Sequence, residues 1–180
     1  VALGETVLAT GASLSDAPIW DAGMSSVLLA TFFGTLAMWW LYFGTSSKDA
    51  TNAIQHASDP GRIGAYFHYI HAILVAGVIV TAVGHDLVLE HPHERPLAAH
   101  IATLACGPGI YLLGSAVYKR VVYGVVPLSH VGGIFALLAL IPLAQVADLA
   151  AMAWLCAAIM LGVGLVEQQV VRRLRRPHQP

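Results

Sequence analysis

The sequence predicts an all-α membrane protein: a polytopic transmembrane helix bundle with five complete spans and one partial N-terminal span. The first reason is composition, because 57% of the 180 residues are hydrophobic and 11% are charged, whereas a soluble domain has about 25% charged residues. The second is a set of long apolar runs that do not alternate between polar and apolar residues, as membrane strands would. The mean hydropathy of +0.71 agrees with both. A net charge of −1 argues against a nucleic-acid partner.

A helix needs about 20 apolar residues to cross a bilayer, and the runs are compared with that length in chain order. The run over residues 1–14 is too short, and we interpret it as the end of a helix whose start precedes Val1. We therefore expect the chain to be part of a longer protein. Complete spans are predicted over residues 25–43, 63–89, 97–117, 125–146 and 149–171. They form one domain over residues 1–176, and residues 177–180 are a frayed tail.

Helix-breaking and polar residues mark the ends and irregular points of these helices. Asp148 lies between the last two runs and is predicted to cap the last helix. Pro108, between two glycines, predicts a kink that serves packing or, alternatively, exposes backbone carbonyls to a wet cavity. Cys106 and Cys156 are interpreted as buried thiols, with a disulfide as the alternative. Four further glycines are interpreted as points of close helix approach: Gly132, Gly133, Gly162 and Gly164.

The basic residues predict the orientation of the bundle, because short cytoplasmic loops collect Lys and Arg. With the C-terminus inside, eight of the nine basic residues lie on the inner side and Arg95 alone lies outside. We therefore expect a multi-pass protein of the bacterial cytoplasmic (plasma) membrane with a cytoplasmic C-terminus. The inner set is Lys48, Arg62, Lys119, Arg120, Arg172, Arg173, Arg175 and Arg176.

Ionisable residues at membrane depth are the first candidates for function, because they are costly there. Glu5 is one, with a hydrogen bond to a neighbouring helix as its plainer role. His68 and His71 are three residues apart and share a helix face. With His130 they could hold a transition metal or a haem, although nothing in the sequence requires either. The alternative is that these imidazoles form interhelical hydrogen bonds or lie at the water interface.

Two further groups lie near the ends of predicted helices. Asp86 begins an acidic and histidine-rich segment that could gather cations or could be an ordinary solvated loop. Trp39, Trp40, Tyr42 and Phe43 end the second helix, where interfacial anchoring explains them.

Several strings, taken in order, resemble the bacterial low temperature requirement A (LtrA) family. They are Leu3-Gly4-Glu5-Thr6 with Gly11, Trp39-Trp40-Leu41-Tyr42-Phe43, Tyr69-Ile70-His71, Val75-Ala76-Gly77-Val78-Ile79, Ala82-Val83-Gly84, His91-Pro92 and Tyr111-Leu112-Leu113-Gly114. The resemblance covers residues 1–120 well and the remainder by topology. It implies a multi-pass membrane protein linked to growth at low temperature and about twice this length, of which the chain is the C-terminal half.

The resemblance carries over three positions: Glu5, the Trp39, Trp40 and Tyr42 group, and His71. It assigns no biochemical activity. His68 and His85 depart from the usual pattern of the family, so a metal site at His68 would belong to this chain and not to the family as a whole.

Three functions are compatible with the sequence. The first is transport or permeation of a small solute or ion, with Glu5, Tyr42 and His71 along a polar path. The second is a haem- or metal-dependent redox protein using His68, His71 and His130. The third is a non-catalytic role in membrane adaptation or as a scaffold. An enzyme is the less expected class, since no catalytic motif is present. The expected partners are lipid, the N-terminal half of the same protein and a second copy of the chain.

Overall fold

The structure is a computed structural model that describes residues 3–4, 7–8, 11–12, 22–44, 59–92 and 94–175. The described residues contain no strand. They form five helices: α1 (Ala22–Phe43), α2 (Pro60–Glu90), α3 (Ala98–Tyr123), α4 (Leu128–Leu143) and α5 (Leu149–Arg175). The described residues among the first twelve are helical too. The predicted all-α fold class is therefore confirmed, and Glu5 lies outside the described residues.

Four of these helices are long and apolar enough to cross a membrane: Ala22–Phe43, Pro60–Glu90, Ala98–Tyr123 and Leu149–Val170. The remaining helix, α4, has 16 residues and is shorter than the predicted run over residues 125–146. Gly124, with φ 75°, ends α3, and Pro127 precedes α4. At the other end, Pro142 lies in the last turn of the helix. The predicted run was longer because the residues on both sides of α4 are apolar. Hydropathy does not reflect the glycine and proline positions that end a helix.

Side-chain and backbone oxygens accept hydrogen bonds from N–H groups at the starts of α2 and α5. The Asp59 carboxylate accepts a hydrogen bond from the backbone N–H of Arg62 (3.0 Å) at the start of α2. The Asp148 carboxylate accepts one from the N–H of Ala151 (2.8 Å), so the predicted cap of α5 is confirmed. The loop between α2 and α3 supplies two further acceptors to α5, because the Glu94 and Pro92 carbonyls bond to the first two N–H groups of that helix.

Glycines bring α2 and α3 into backbone contact. A Cβ added at Gly77 would lie 2.6 Å from the backbone nitrogen of Tyr111, and one added at Gly107 would lie 2.6 Å from that of Thr81. The helix α3 continues through Pro108, and the contact at Gly107 favours the packing role, which was one of the two alternatives predicted for this segment. Elsewhere Gly133 packs against Val163 and Leu112, and Gly164 packs against the Trp40 ring. No described atom, however, lies within 4 Å of a Cβ placed at Gly132 or Gly162.

The bundle exposes apolar side chains and buries polar ones, which is the arrangement that a lipid environment favours. Large apolar residues such as Phe32, Ile79 and Phe135 are exposed. Interhelical hydrogen bonds link the buried faces: the Tyr111 hydroxyl donates to the Met38 carbonyl (2.6 Å). The buried polar or charged residues are Thr31, Thr35, Thr81, His85, His100, Ser115, Lys119, His130 and Glu167.

Candidate functional site

A cluster of ionisable side chains is buried where α3, α4 and α5 meet. It consists of Lys119 from α3, His130 from α4 and Glu167 from α5, whose exposed fractions are 2%, 0% and 6%. The Lys119 ammonium forms an ion pair with Oε1 of Glu167. Nδ1 of His130 lies 3.6 Å from the other carboxylate oxygen, Oε2. One carboxylate is therefore placed between an ammonium and an imidazole inside the bundle.

Two hydroxyls extend this cluster around the imidazole. Oγ of Ser115 lies 2.9 Å from Nε2 of His130, and Oγ of Ser129 lies 3.2 Å from Nδ1. A hydroxyl can donate or accept, so both ring nitrogens have a suitable neighbour in either tautomer. The polar groups form a line from Ser115 through His130 and Glu167 to Lys119, in which the 3.6 Å separation between His130 and Glu167 is longer than a hydrogen bond.

Helical spacing and small residues explain why these side chains meet. Ser115 and Lys119 are four residues apart on α3 and share a face. His130 and Gly133 are three apart on α4, and Gly133 allows α4 to approach Val163 on α5, since a Cβ there would lie 2.6 Å from the Val163 side chain. This close approach lets the short His130 side chain reach both α3 and α5.

One carboxylate oxygen of Glu167, Oε2, accepts no hydrogen bond from a described residue. A buried carboxylate is costly unless it is paired, and Lys119 supplies that pairing through Oε1. Among the described residues, none is within hydrogen-bonding distance of Oε2 of Glu167. This oxygen can accept a proton or contact a small cation, and either event would weaken the hold of Glu167 on the Lys119 ammonium.

The cluster lies toward the end of the bundle where the basic residues gather. Arg62 lies in the first turn of α2, Arg120 in the last turn of α3, and Arg173 in the last turn of α5. We call this the basic end. The opposite end carries acidic residues at the end of α2, in the following loop and before α5: Asp86, Glu90, Glu94 and Asp148. The bundle thus has a strong charge asymmetry between its two ends.

A second polar group lies in a small cavity between α1, α2, α3 and α5. The cavity has a volume of about 10 Å³, and His85, Leu104, Pro108 and Cys156 are among its lining residues. Proline lacks an N–H, so Pro108 leaves the Leu104 carbonyl without its usual helical donor. The Cys156 thiol donates to that carbonyl instead, at 3.4 Å. Two alternatives were predicted for the carbonyl freed by Pro108: a packed position or a wet cavity. In the structure the Leu104 carbonyl has a hydrogen-bond partner and lies beside a cavity.

The structure brings only some of the predicted site residues together. His68 and His71 are exposed on α2, and the His71 ring lies 6.3 Å from that of Tyr42. His130 is buried with Glu167. In the described part of the chain, no three His, Cys, Asp or Glu side chains are grouped so as to hold a metal ion. A metal site at His68, His71 and His130 therefore stays a prediction, one that these positions do not favour.

The remaining predicted residues take varied positions. Trp39 is exposed near the basic end, which agrees with an interfacial anchor, whereas Trp40 is half-buried against Gly164. Asp86 is half-buried near the opposite end. Both cysteines are free thiols, and Cys156 is buried as predicted. The prediction that Cys106 is buried was wrong, because its side chain is exposed.

Sequence reasoning missed Glu167 and the pairing role of Lys119. Glu167 is an acidic residue within the predicted run over residues 149–171, and its depth in that run was the available signal. Lys119 was counted among the topology-setting residues at the inner boundary. The two positions are far apart in the chain, so only the packing of α3 against α5 reveals that they form a pair.

The fold and the buried ionisable cluster define a multi-pass helical membrane protein with charged groups inside its bundle. The chain belongs to the bacterial low temperature requirement A protein (LtrA) family, whose family model matches residues 1–165. Family membership makes it a membrane protein linked to low temperature, and it confirms the resemblance seen in the sequence.

A relative from Rhizobium meliloti (strain 1021), named uncharacterized protein RA0937, is 34% identical over 177 residues. The match covers 98% of this chain and 43% of the relative, so the chain spans less than half of the relative's length. No solved structure matches the chain.

Proposed function

We propose that this chain is the part of a membrane transporter that carries a charge-sensitive site for a small ion or solute. The observation that carries the proposal is the buried line of polar groups formed by Ser115, His130, Glu167 and Lys119. Ionisable residues inside a membrane bundle commonly mark ion pathways and proton relays.

A purely structural role accounts less well for this cluster. Replacing a buried ion pair by apolar residues is often neutral or stabilising, so such a pair is weak evidence for stability. The surroundings of Lys119 and Glu167 are apolar enough to accommodate such replacements, with the buried residues Ala116 and Val163 one turn away on the same helices. A costly pair of charges in this position is better explained by a function that uses the charge.

Glu167 is the group that would respond to a substrate. Its Oε2 lies beside His130, and Ser115 continues the line on the far side of the ring. A proton or small cation on the carboxylate would weaken the electrostatic attraction between Glu167 and the Lys119 ammonium. Because Lys119 and Glu167 are on different helices, this release would alter the contact between α3 and α5. That is the coupling of binding to rearrangement that a transporter requires.

The other predicted residues take secondary places in this proposal. Tyr42 and His71 lie together near the basic end, where they would form a polar entrance. Glu5, which lies outside the described residues, would add a carboxylate to the polar path. The basic end would face the cytoplasm of a bacterial cell, with the arginine-rich C-terminus on the cytoplasmic side of the plasma membrane.

Reconstitution of the complete protein into liposomes tests the proposal. Flux of protons, monovalent and divalent cations and small solutes is measured under a gradient, for the wild type and for Glu167→Gln. We expect Glu167→Gln to reduce flux to the level of protein-free vesicles. Glu90→Gln is the matched control, because Glu90 is exposed at the opposite end, and its flux should equal that of the wild type.

Two outcomes would overturn the proposal. One is the absence of flux for the whole panel with a folded, inserted protein, which would favour the non-catalytic role in membrane adaptation. The other is equal flux in Glu167→Gln and the wild type. Growth of a deletion strain at low temperature gives an independent reading with the double variant Lys119→Met, Glu167→Gln, which leaves no charge of this pair buried and unpaired. A scaffold should tolerate this double variant, whereas a transporter should not.

A further inference from the structure

We propose that the cavity beside His85 is a binding site for a single soft monovalent metal ion, Cu(I). The cavity lies between α1, α2, α3 and α5, and none of its lining residues belongs to the Glu167 cluster. The proposal therefore stands apart from the transport proposal.

Three of the residues that line this cavity carry sulfur, and a fourth is a histidine. Its lining includes Met38 from α1, His85 from α2, and Cys156 and Met160 from α5. Cys156 and Met160 are four residues apart and lie on one face of their helix. Thioether and thiolate ligands select soft ions, and an imidazole completes a donor set typical of copper in its reduced state.

The imidazole of His85 is the group that lacks a partner. Its exposed fraction is 7%, and within the described part of the chain Nδ1 has no hydrogen-bond partner. An unpaired polar atom in this position is costly and needs an explanation. The ring lines the cavity, so a metal ion bound there would give this buried imidazole a partner.

The size and charge of the cavity restrict the ligand further. A volume of about 10 Å³ accommodates one water-sized particle, which excludes an organic ligand. None of the described residues that line it is an Asp or Glu, so the oxygen ligands that Mg²⁺ and Ca²⁺ prefer are lacking. A soft ion or a water molecule remains.

The charge balance favours a monovalent ion. On binding, the S–H bond of Cys156 breaks, its proton leaves to bulk water, and a bond forms between Cu(I) and the thiolate sulfur. No electron is transferred. One positive charge then meets one negative charge, so the site stays neutral overall, as a low-dielectric interior requires. The Leu104 carbonyl loses only the weak thiol donor.

Anaerobic titration of the complete, reduced protein in detergent tests the site. Cu(I) is supplied in competition with a chromophoric chelator, and bound copper is counted together with the ultraviolet absorption of the copper–thiolate bond. We expect Cys156→Ser to bind one copper fewer per chain than the wild type and to lack that absorption. Cys106→Ser is the matched control, because Cys106 is an exposed thiol outside the cavity, and it should bind as the wild type does.

A second pair of variants keeps the test valid if Cys156→Ser folds poorly. Met160→Leu and Met152→Leu are volume-conserving changes at buried positions of α5, and only Met160 lines the cavity. Met160→Leu should weaken copper binding and Met152→Leu should not. Replacing the exposed His68 and His71 should leave this copper in place. Equal copper in Cys156→Ser and Cys106→Ser, or equal weakening by the two methionine variants, would overturn the proposal and leave a water as the occupant.

Discussion

Replacing Gly107 by alanine tests how closely α2 and α3 are packed. The added Cβ would lie 2.6 Å from the backbone nitrogen and 2.8 Å from the Cα of Thr81, whereas ordinary contacts begin at 3.4 Å. The difference, 3.4 − 2.6, is 0.8 Å. The Thr81 backbone cannot rotate away as a side chain would, so the two helices must separate by about that distance. Overpacking of this kind costs about 1–3 kcal/mol of unfolding free energy.

Gly109→Ala is the matched control for this change. It lies two residues further along α3, and no described atom is within 4 Å of its added Cβ. Alanine is the better helix former by about 0.8–1.0 kcal/mol, so Gly109→Ala should unfold at the wild-type free energy or slightly above it. Gly107→Ala should unfold at a clearly lower free energy than Gly109→Ala.

Reversible unfolding in mixed lipid–detergent micelles, followed by far-UV circular dichroism, measures both variants under the same conditions. Equal unfolding free energies for Gly107→Ala and Gly109→Ala would refute the reasoning, because they would show that α2 and α3 do not touch at this turn.

Three further changes address the charged cluster, an interhelical bond and a helix cap by the same unfolding measurement. Lys119→Met leaves the Glu167 carboxylate buried and unpaired, so it should lower the unfolding free energy by about 3–5 kcal/mol. Adding Glu167→Gln should restore most of this loss. A double variant no more stable than Lys119→Met would contradict the pairing. Tyr111→Phe removes the hydroxyl that donates to the Met38 carbonyl, so a loss of about 0.5–1.5 kcal/mol is expected, and an unchanged stability would show that the bond contributes nothing. Asp148→Ala removes the cap of α5 and should cost about 0.5–2 kcal/mol, whereas Asp148→Asn should retain most of it; equal losses in these two variants would argue against a hydrogen-bonded cap.

The number and approximate position of the helices followed from the sequence, because hydropathy over some 20 residues is a local property. The boundaries were less accurate where backbone constraints compete with apolar character. The predicted run over residues 125–146 continues past Pro127 and Pro142, yet α4 occupies Leu128–Leu143 alone. The cap at Asp148 was predictable because it depends on residues within one turn.

The sites depended on tertiary structure. His130 was a candidate from the sequence, but its partners come from two other helices, and Glu167 was not among the candidates. The soft donors around His85 likewise come from two other helices, α1 and α5.

Local pattern thus determined that this chain is a helical membrane bundle of the LtrA type with a basic and an acidic end. Which buried groups meet was decided by helix packing, including the close approaches that Gly77, Gly107 and Gly133 allow. A single helix can bury neither Lys119 nor Glu167, and only the packing of α3, α4 and α5 makes their pairing necessary.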